Sequence, residues 1–210
     1  WDDVLLPLYD TLSHRNGEWL NTRSDENGVH NGDVKVYAKR DIKKGEEIYT
    51  SYNMCEDCDA RVKTYGTSEL FRDYGFVENF PQFWIFKDIE IKFRMDEVGY
   101  DEEGESILRI TEWVNGEPSD EGVHDIRNLL DKVVNGIQLL DHKDSHPNVM
   151  EYEWNKIYEY LLAMKIALEV ALEWRDVEKM CVFEGTCNAT IARYPDLDKK
   201  FITEQDSGYM

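Results

Sequence analysis

The chain has 210 residues, 41% of them apolar, with twelve Tyr, eight Phe and six Trp, which supplies a packed core and excludes a disordered tail. Forty-four acidic against 24 basic residues give a formal net charge of −20. Such a field repels nucleic acid and anionic membranes and draws in Lys- or Arg-rich protein segments. No apolar run approaches the roughly 18 residues needed to span a bilayer, so the sequence reads as soluble. It opens at Trp1 without an initiator Met or a signal-like segment and reads as a mature form or a fragment, its compartment open.

Along the first 80 residues, short apolar runs alternate with turn-rich stretches. Leu5 to Tyr9 is an apolar run closed by a polar turn. Residues 15 to 33, rich in Asn, Gly, Asp and Ser, predict an exposed loop. Val34 to Ala38 alternates as a strand does, Asp41 to Glu46 is a turn, and Glu47 to Tyr52 reads as a second strand. Thr67 to Tyr74 predicts a short helix with Thr67 or Ser68 as N-cap and Gly75 just past its end. Phe83 to Phe93 and Ser106 to Val114 predict two further strands, and the acid-rich stretch between Asp96 and Glu121 a solvated connector or loop pair.

From about residue 120 the period changes. Ile126, Leu129, Val133, Ile137 and Leu140 step by three and four, the stripe of an amphipathic helix. Trp154, Ile157, Leu161, Leu168 and Leu172 mark a second helix, its stripe interrupted by Lys165, with His142 to Asn148 as the turn between. The predicted fold is α+β, short strands followed by a helical hairpin. Segments 1–80, 81–118 and 119–210 are the expected divisions.

Cys55 and Cys58 have the CxxC spacing of a zinc site or redox pair, but no second CxxC and no suitably spaced His pair accompanies them. Metal binding, a local disulfide and free thiols all remain open for them, and no metal site is assigned. Cys181 and Cys187 carry no pattern, and Asn188-Ala189-Thr190 is a sequon of a kind common by chance. His30, His124, His142 and His146 lack partner spacing and read as ordinary surface residues.

Three segments in order carry a resemblance: Leu6 to His14 (LPLYDTLSH), Ala38 to Tyr52 (AKRDIKKGEEIYTSY) and Tyr65 to Val77 (YGTSELFRDYGFV). They resemble consecutive motifs of SET-domain protein methyltransferases, especially the branch of the plant RuBisCO large-subunit lysine methyltransferase. The resemblance covers about the first 80 residues and corresponds to the C-terminal half of a SET domain. The Gly-rich cofactor strand of the upstream half has no counterpart in these residues.

That resemblance implies S-adenosylmethionine as cofactor and a basic protein or peptide as substrate. It implies cofactor contacts from Ser13, His14 and Phe76, with Tyr52 beside the transferring methyl group and Tyr74 lining the substrate-lysine channel. Asp10 matches a structural acid. Tyr49, on the opposite strand face from Tyr52, reads as a supporting residue. Two departures are visible. Ser13 stands where the family has Asn, offering one hydroxyl in place of an amide. An enlarged loop follows Tyr52, where the family runs almost directly into the helix. A histidine methyltransferase of the same branch is a close variant. A non-catalytic interaction module on a decayed SET scaffold is the alternative from another class.

Overall fold

The computed structural model describes residues 8–24, 35–53, 64–140, 150–184 and 192–194. Helices and short strands are mixed, an α+β fold. The chain divides into two compact units, Trp1–Ile85 and Phe86–Met210.

In the first unit the strands are brief: β1 (Ser13–His14), β2 (Thr22–Ser24), β3 (Val36–Ala38) and β4 (Tyr49–Thr50). β1 pairs in parallel with β4, Ser13 opposite Tyr49 and His14 opposite Thr50. β2 pairs antiparallel with β3. The Glu47 to Tyr52 segment is therefore a strand over only two of its residues. Buried Asn21 explains part of this, because its side chain accepts the Tyr49 N–H at 2.8 Å and donates to the Glu47 carbonyl at 2.8 Å. These bonds occupy backbone groups that a longer ladder would use.

Helix α1 (Thr67–Tyr74) has the predicted bounds, but its N-cap is Gly66. Its first-turn Glu69 accepts the Gly66 N–H at 2.8 Å, which satisfies a donor that the helix start leaves open. Gly66 is also fixed by space: a Cβ there would run into the Phe83 carbonyl oxygen and the Ile85 side chain. At the other end Gly75 takes the left-handed conformation (φ 74°) and donates its N–H to the Phe71 carbonyl at 2.8 Å. Leu70, Phe83, Trp84 and Ile85 are buried.

Phe83 to Phe93 does not form the single strand its composition predicts. Strand β5 (Gln82–Phe86) ends in a 3-10 turn over Lys87–Ile89, and Glu90 adopts positive φ before β6 (Ile91–Tyr100) begins. The acidic connector is corrected in the same way. Acids Asp96 and Glu97 lie within β6, which forms an antiparallel hairpin with β7 (Ser106–Trp113), while the stretch between the two strands and residues 114–119 stay outside strand and helix. Between the strands the Asp101 carboxylate accepts the N–H groups of Glu103 and Glu105. Alternation is the reason the hairpin forms: Ile91, Phe93, Met95, Leu108 and Ile110 are buried while their neighbours are less so. A short β8 (Ala192–Tyr194) pairs with β7.

The helical period delivers α2 (Asp120–Leu140) and α3 (Glu151–Glu184), which pack on each other. Val123, Ile126 and Val133 are buried on α2, and Ile166, Ala167, Leu168, Val170 and Ala171 on α3. The indole N–H of Trp154 donates to the Leu140 carbonyl at 3.1 Å, capping an open acceptor at the end of α2. Lys165 pairs with Glu169 one turn on, at 2.7 Å. Among the described residues, no helix is long and apolar enough to cross a membrane.

Candidate functional site

The first unit gathers four aromatic rings from three separate segments. His14 ends β1, Tyr52 follows β4, and Tyr74 and Phe76 flank Gly75 after α1. Ring centroids lie 5.0 Å apart for His14 and Tyr52, 4.8 Å for Tyr52 and Tyr74, 6.2 Å for Tyr74 and Phe76, and 5.8 Å for Phe76 and His14. The four contacts close a circuit of tilted rings. Parallel β1–β4 pairing brings the first two members together. The left-handed turn at Gly75 brings the two residues beside it onto the same cluster. Tyr74 is 55% exposed and forms the rim; Tyr52 and Phe76 are half-buried. Ring faces carry negative potential and attract cations, so a rim of this kind suits a positively charged group.

His14 is locked from both sides. Its Nδ1 accepts the backbone N–H of Tyr52 at 3.0 Å, and its Nε2 lies 3.0 Å from Glu78 Oε2. A backbone N–H can only donate, so Nδ1 is the bare nitrogen and Nε2 carries the hydrogen given to Glu78. The side chain is 4% exposed and that of Glu78 fully buried. With both ring nitrogens committed, what His14 can present to a ligand is its ring face and its main chain. The Tyr52 hydroxyl donates to the Leu12 carbonyl at 2.6 Å.

Ser13 lies outside the circuit. It is exposed, and its hydroxyl donates to Glu47 Oε1 at 2.5 Å, while the Tyr49 hydroxyl donates to Glu47 Oε2 at 2.9 Å. Tyr49 thus supports a carboxylate beside Ser13. Asp10 is exposed in a 3-10 turn.

Sequence reasoning missed the polar group beneath the rings. Glu78 accepts from Asn53 Nδ2 (2.7 Å) and Thr67 Oγ1 (2.5 Å) on one oxygen, and from Asn16 Nδ2 (2.6 Å) and His14 Nε2 (3.0 Å) on the other. Ser51 Oγ donates to Asn16 Oδ1 at 2.7 Å, and Gln82 Nε2 to the Glu78 carbonyl at 2.7 Å. A carboxylate out of water needs this many donors, since an unpaired buried charge costs several kcal/mol, on the order of 3–5 when a partner is removed. Asn53, at the start of the loop assigned to the stretch after Tyr52, is only 1% exposed and belongs to this cluster. The remainder of that loop, with Cys55 and Cys58, lies outside the described residues. So do His30, His142, His146, Cys187 and Asn188, and Cys181 in all but its backbone; His124 is exposed on α2.

Among the described residues, Glu46 and Tyr65 are ionisable groups outside the circuit that are strongly perturbed. A hydrogen bond from Arg40, with help from the Lys43 N–H, holds the Glu46 carboxyl down at about 2. Burial, followed by the hydrogen bond to Asp73, pushes the Tyr65 phenol up. Among the described residues, no group of three or more His, Cys, Asp or Glu is placed to hold a metal ion. Comparison of the chain with known protein families, curated proteins and solved structures gives no match.

Proposed function

We propose that this chain carries the tyrosine-bearing half of a SET-type protein lysine methyltransferase site, with S-adenosylmethionine as methyl donor and a basic protein segment as substrate. The observation that carries this reading is the closed circuit of His14, Tyr52, Tyr74 and Phe76, drawn from the three segments whose order resembles that family.

The donor set suits such a cofactor. Sulfonium charge is matched by ring faces, and the half-buried Phe76 offers a face for a purine. Main-chain groups at His14 and the Ser13–Glu47 pair are the polar contacts on offer. The bound cofactor supplies an electrophilic methyl group. A lysine ammonium, with a reference pKa of about 10.4, must lose a proton to attack it. Insertion among aromatic rings strips water and favours the neutral amine. The Tyr52 phenol donates to the Leu12 carbonyl, and because a phenol oxygen is an acceptor as well as a donor it is the group suited to orient an amine N–H. Holding the nucleophile in line is the contribution asked of these side chains. The −20 charge raises the local concentration of a basic segment.

Incubation of the chain with methyl-tritiated S-adenosylmethionine and a lysine-rich peptide tests the reading, with calorimetric titration of the cofactor alongside. Binding together with label on lysine is the expected result. Absence of any cofactor binding heat removes the methyltransferase assignment and leaves a non-catalytic interaction module. Label on histidine in place of lysine changes the substrate residue only.

A further inference from the structure

We infer that Glu78 is a positioning residue for Tyr52, acting through a clamp on the tripeptide Ser51-Tyr52-Asn53. The inference rests on the reading of Tyr52 as the residue that orients the substrate amine. Glu78 itself touches no reacting group.

Each residue of the tripeptide is tied, directly or through one intermediary, to this carboxylate. Asn53 donates to Glu78 Oε1 at 2.7 Å. The Tyr52 N–H donates to His14 Nδ1 at 3.0 Å, and His14 Nε2 donates to Glu78 Oε2. Ser51 donates to Asn16 Oδ1, and Asn16 Nδ2 donates to Glu78 Oε2. The fourth donor, Thr67, begins the helix that ends in Tyr74, and Glu78 itself lies two residues past Phe76. One buried carboxylate therefore joins all the segments that supply the four rings.

The chemistry requires an acid at this position. Four donors converge on two oxygens, a demand that only an acceptor-only group meets. A glutamine places an NH2 against one of the two donor pairs. Turned toward His14, that NH2 forces the imidazole hydrogen onto Nδ1, where it opposes the Tyr52 N–H, donor against donor. Turned the other way, it opposes the Asn53 amide. Because bonds in such a network reinforce one another, the disturbance reaches the Tyr52 backbone in either case.

Nitrogen-15 NMR of the His14 imidazole, with the Tyr52 amide resonance, tests the clamp without reference to turnover. The wild-type chain is expected to show hydrogen on Nε2 alone. Glu78→Gln is expected to populate the Nδ1–H form and to shift the Tyr52 amide. A wild-type imidazole with its hydrogen on Nδ1 overturns the inference directly, even if the variant does not fold. So does a folded Glu78→Gln chain in which both signals are unchanged. In a lysine methylation assay the variant is expected to lose kcat by roughly ten- to a hundredfold, the scale of a small misplacement, with KM for peptide little changed. A rise in KM alone overturns the positioning role. A chain with no turnover but the expected NMR response loses the methyltransferase reading and keeps the clamp.

Discussion

The hydroxyl of Tyr52 donates to the main-chain carbonyl of Leu12 across 2.6 Å, so this phenol of the ring circuit is also a structural fastener. Tyr52→Phe tests both roles. Losing one hydrogen bond is expected to cost about 1 kcal/mol, read as a lower urea midpoint with unchanged slope. Methyl transfer is expected to fall far more than that shift explains, by at least about tenfold. A variant with a lower midpoint and full transfer rate leaves Tyr52 as a fastener and nothing else.

Gly66 and Gly75 bound the same helix but are glycine for different reasons, and alanine should separate them. At Gly75 nothing lies within 4 Å of the place a Cβ would occupy, and the cost is that of left-handed backbone, about 1–2 kcal/mol. At Gly66 the Cβ meets the carbonyl oxygen of Phe83 and the side chain of Ile85. Backbone cannot turn aside as a side-chain tip can, so Gly66→Ala is expected to cost more than Gly75→Ala, on the order of 3 kcal/mol or more. Gly75→Asn should recover part of its loss, because Asn tolerates this conformation. Equal midpoints for the two alanine variants in chemical denaturation refute the distinction.

The elements legible in the sequence are those whose signal is local. The stripe through Ile126 and Val133 marks α2, and the strand expected over Ser106 to Val114 is β7 to within one residue. Pairing is not local. Asp96 and Glu97 read as solvated connector until the hairpin with β7 takes them into a strand. Glu90, whose positive φ separates β5 from β6, has nothing in its side chain to announce a break. At the site, Tyr52, Tyr74, Phe76 and His14 stand out through motif order, and the structure brings those four rings together. Glu78, Asn16 and Asn53 give no such signal. Each is a single polar residue without periodic neighbours, and its burial depends on partners distant in the chain, such as Asn53 and Glu78, 25 positions apart, and Asn16 and Glu78, 62 apart.

Acid should weaken the turn between β3 and β4 in a defined window. Glu46, ordinarily near 4.5, is held at about 2 by Arg40 and the Lys43 N–H. A carboxyl whose folded value is depressed binds fewer protons in the folded than in the unfolded chain. Its stabilising contribution is therefore complete above about 4.5, declines as the pH falls, and is gone below about 2. Carboxyl carbon NMR should show Glu46 titrating at the low end of this range. In Arg40→Ala the midpoint should move up toward 4.5. A Glu46 midpoint unaffected by that substitution denies Arg40 its part.

Asn53 offers the sharpest test of whether the buried cluster specifies one arrangement or only tolerates a polar one. Its amide donates to Glu78 Oε1 at 2.7 Å, while its carbonyl accepts from Asn16 at 3.0 Å. Asn53→Ala deletes both bonds and leaves a cavity beside a carboxylate. A hydrogen bond to a charged group is worth about 1.5–3 kcal/mol, more than a neutral one. The variant should therefore be less stable than Tyr52→Phe by about 1 kcal/mol or more. Asn53→Asp should be worse still, because it sets a second carboxylate against Glu78 where an amide donor stood. Urea denaturation ranks the three variants. An aspartate variant as stable as wild type would show that Glu78 does not need the Asn53 donor.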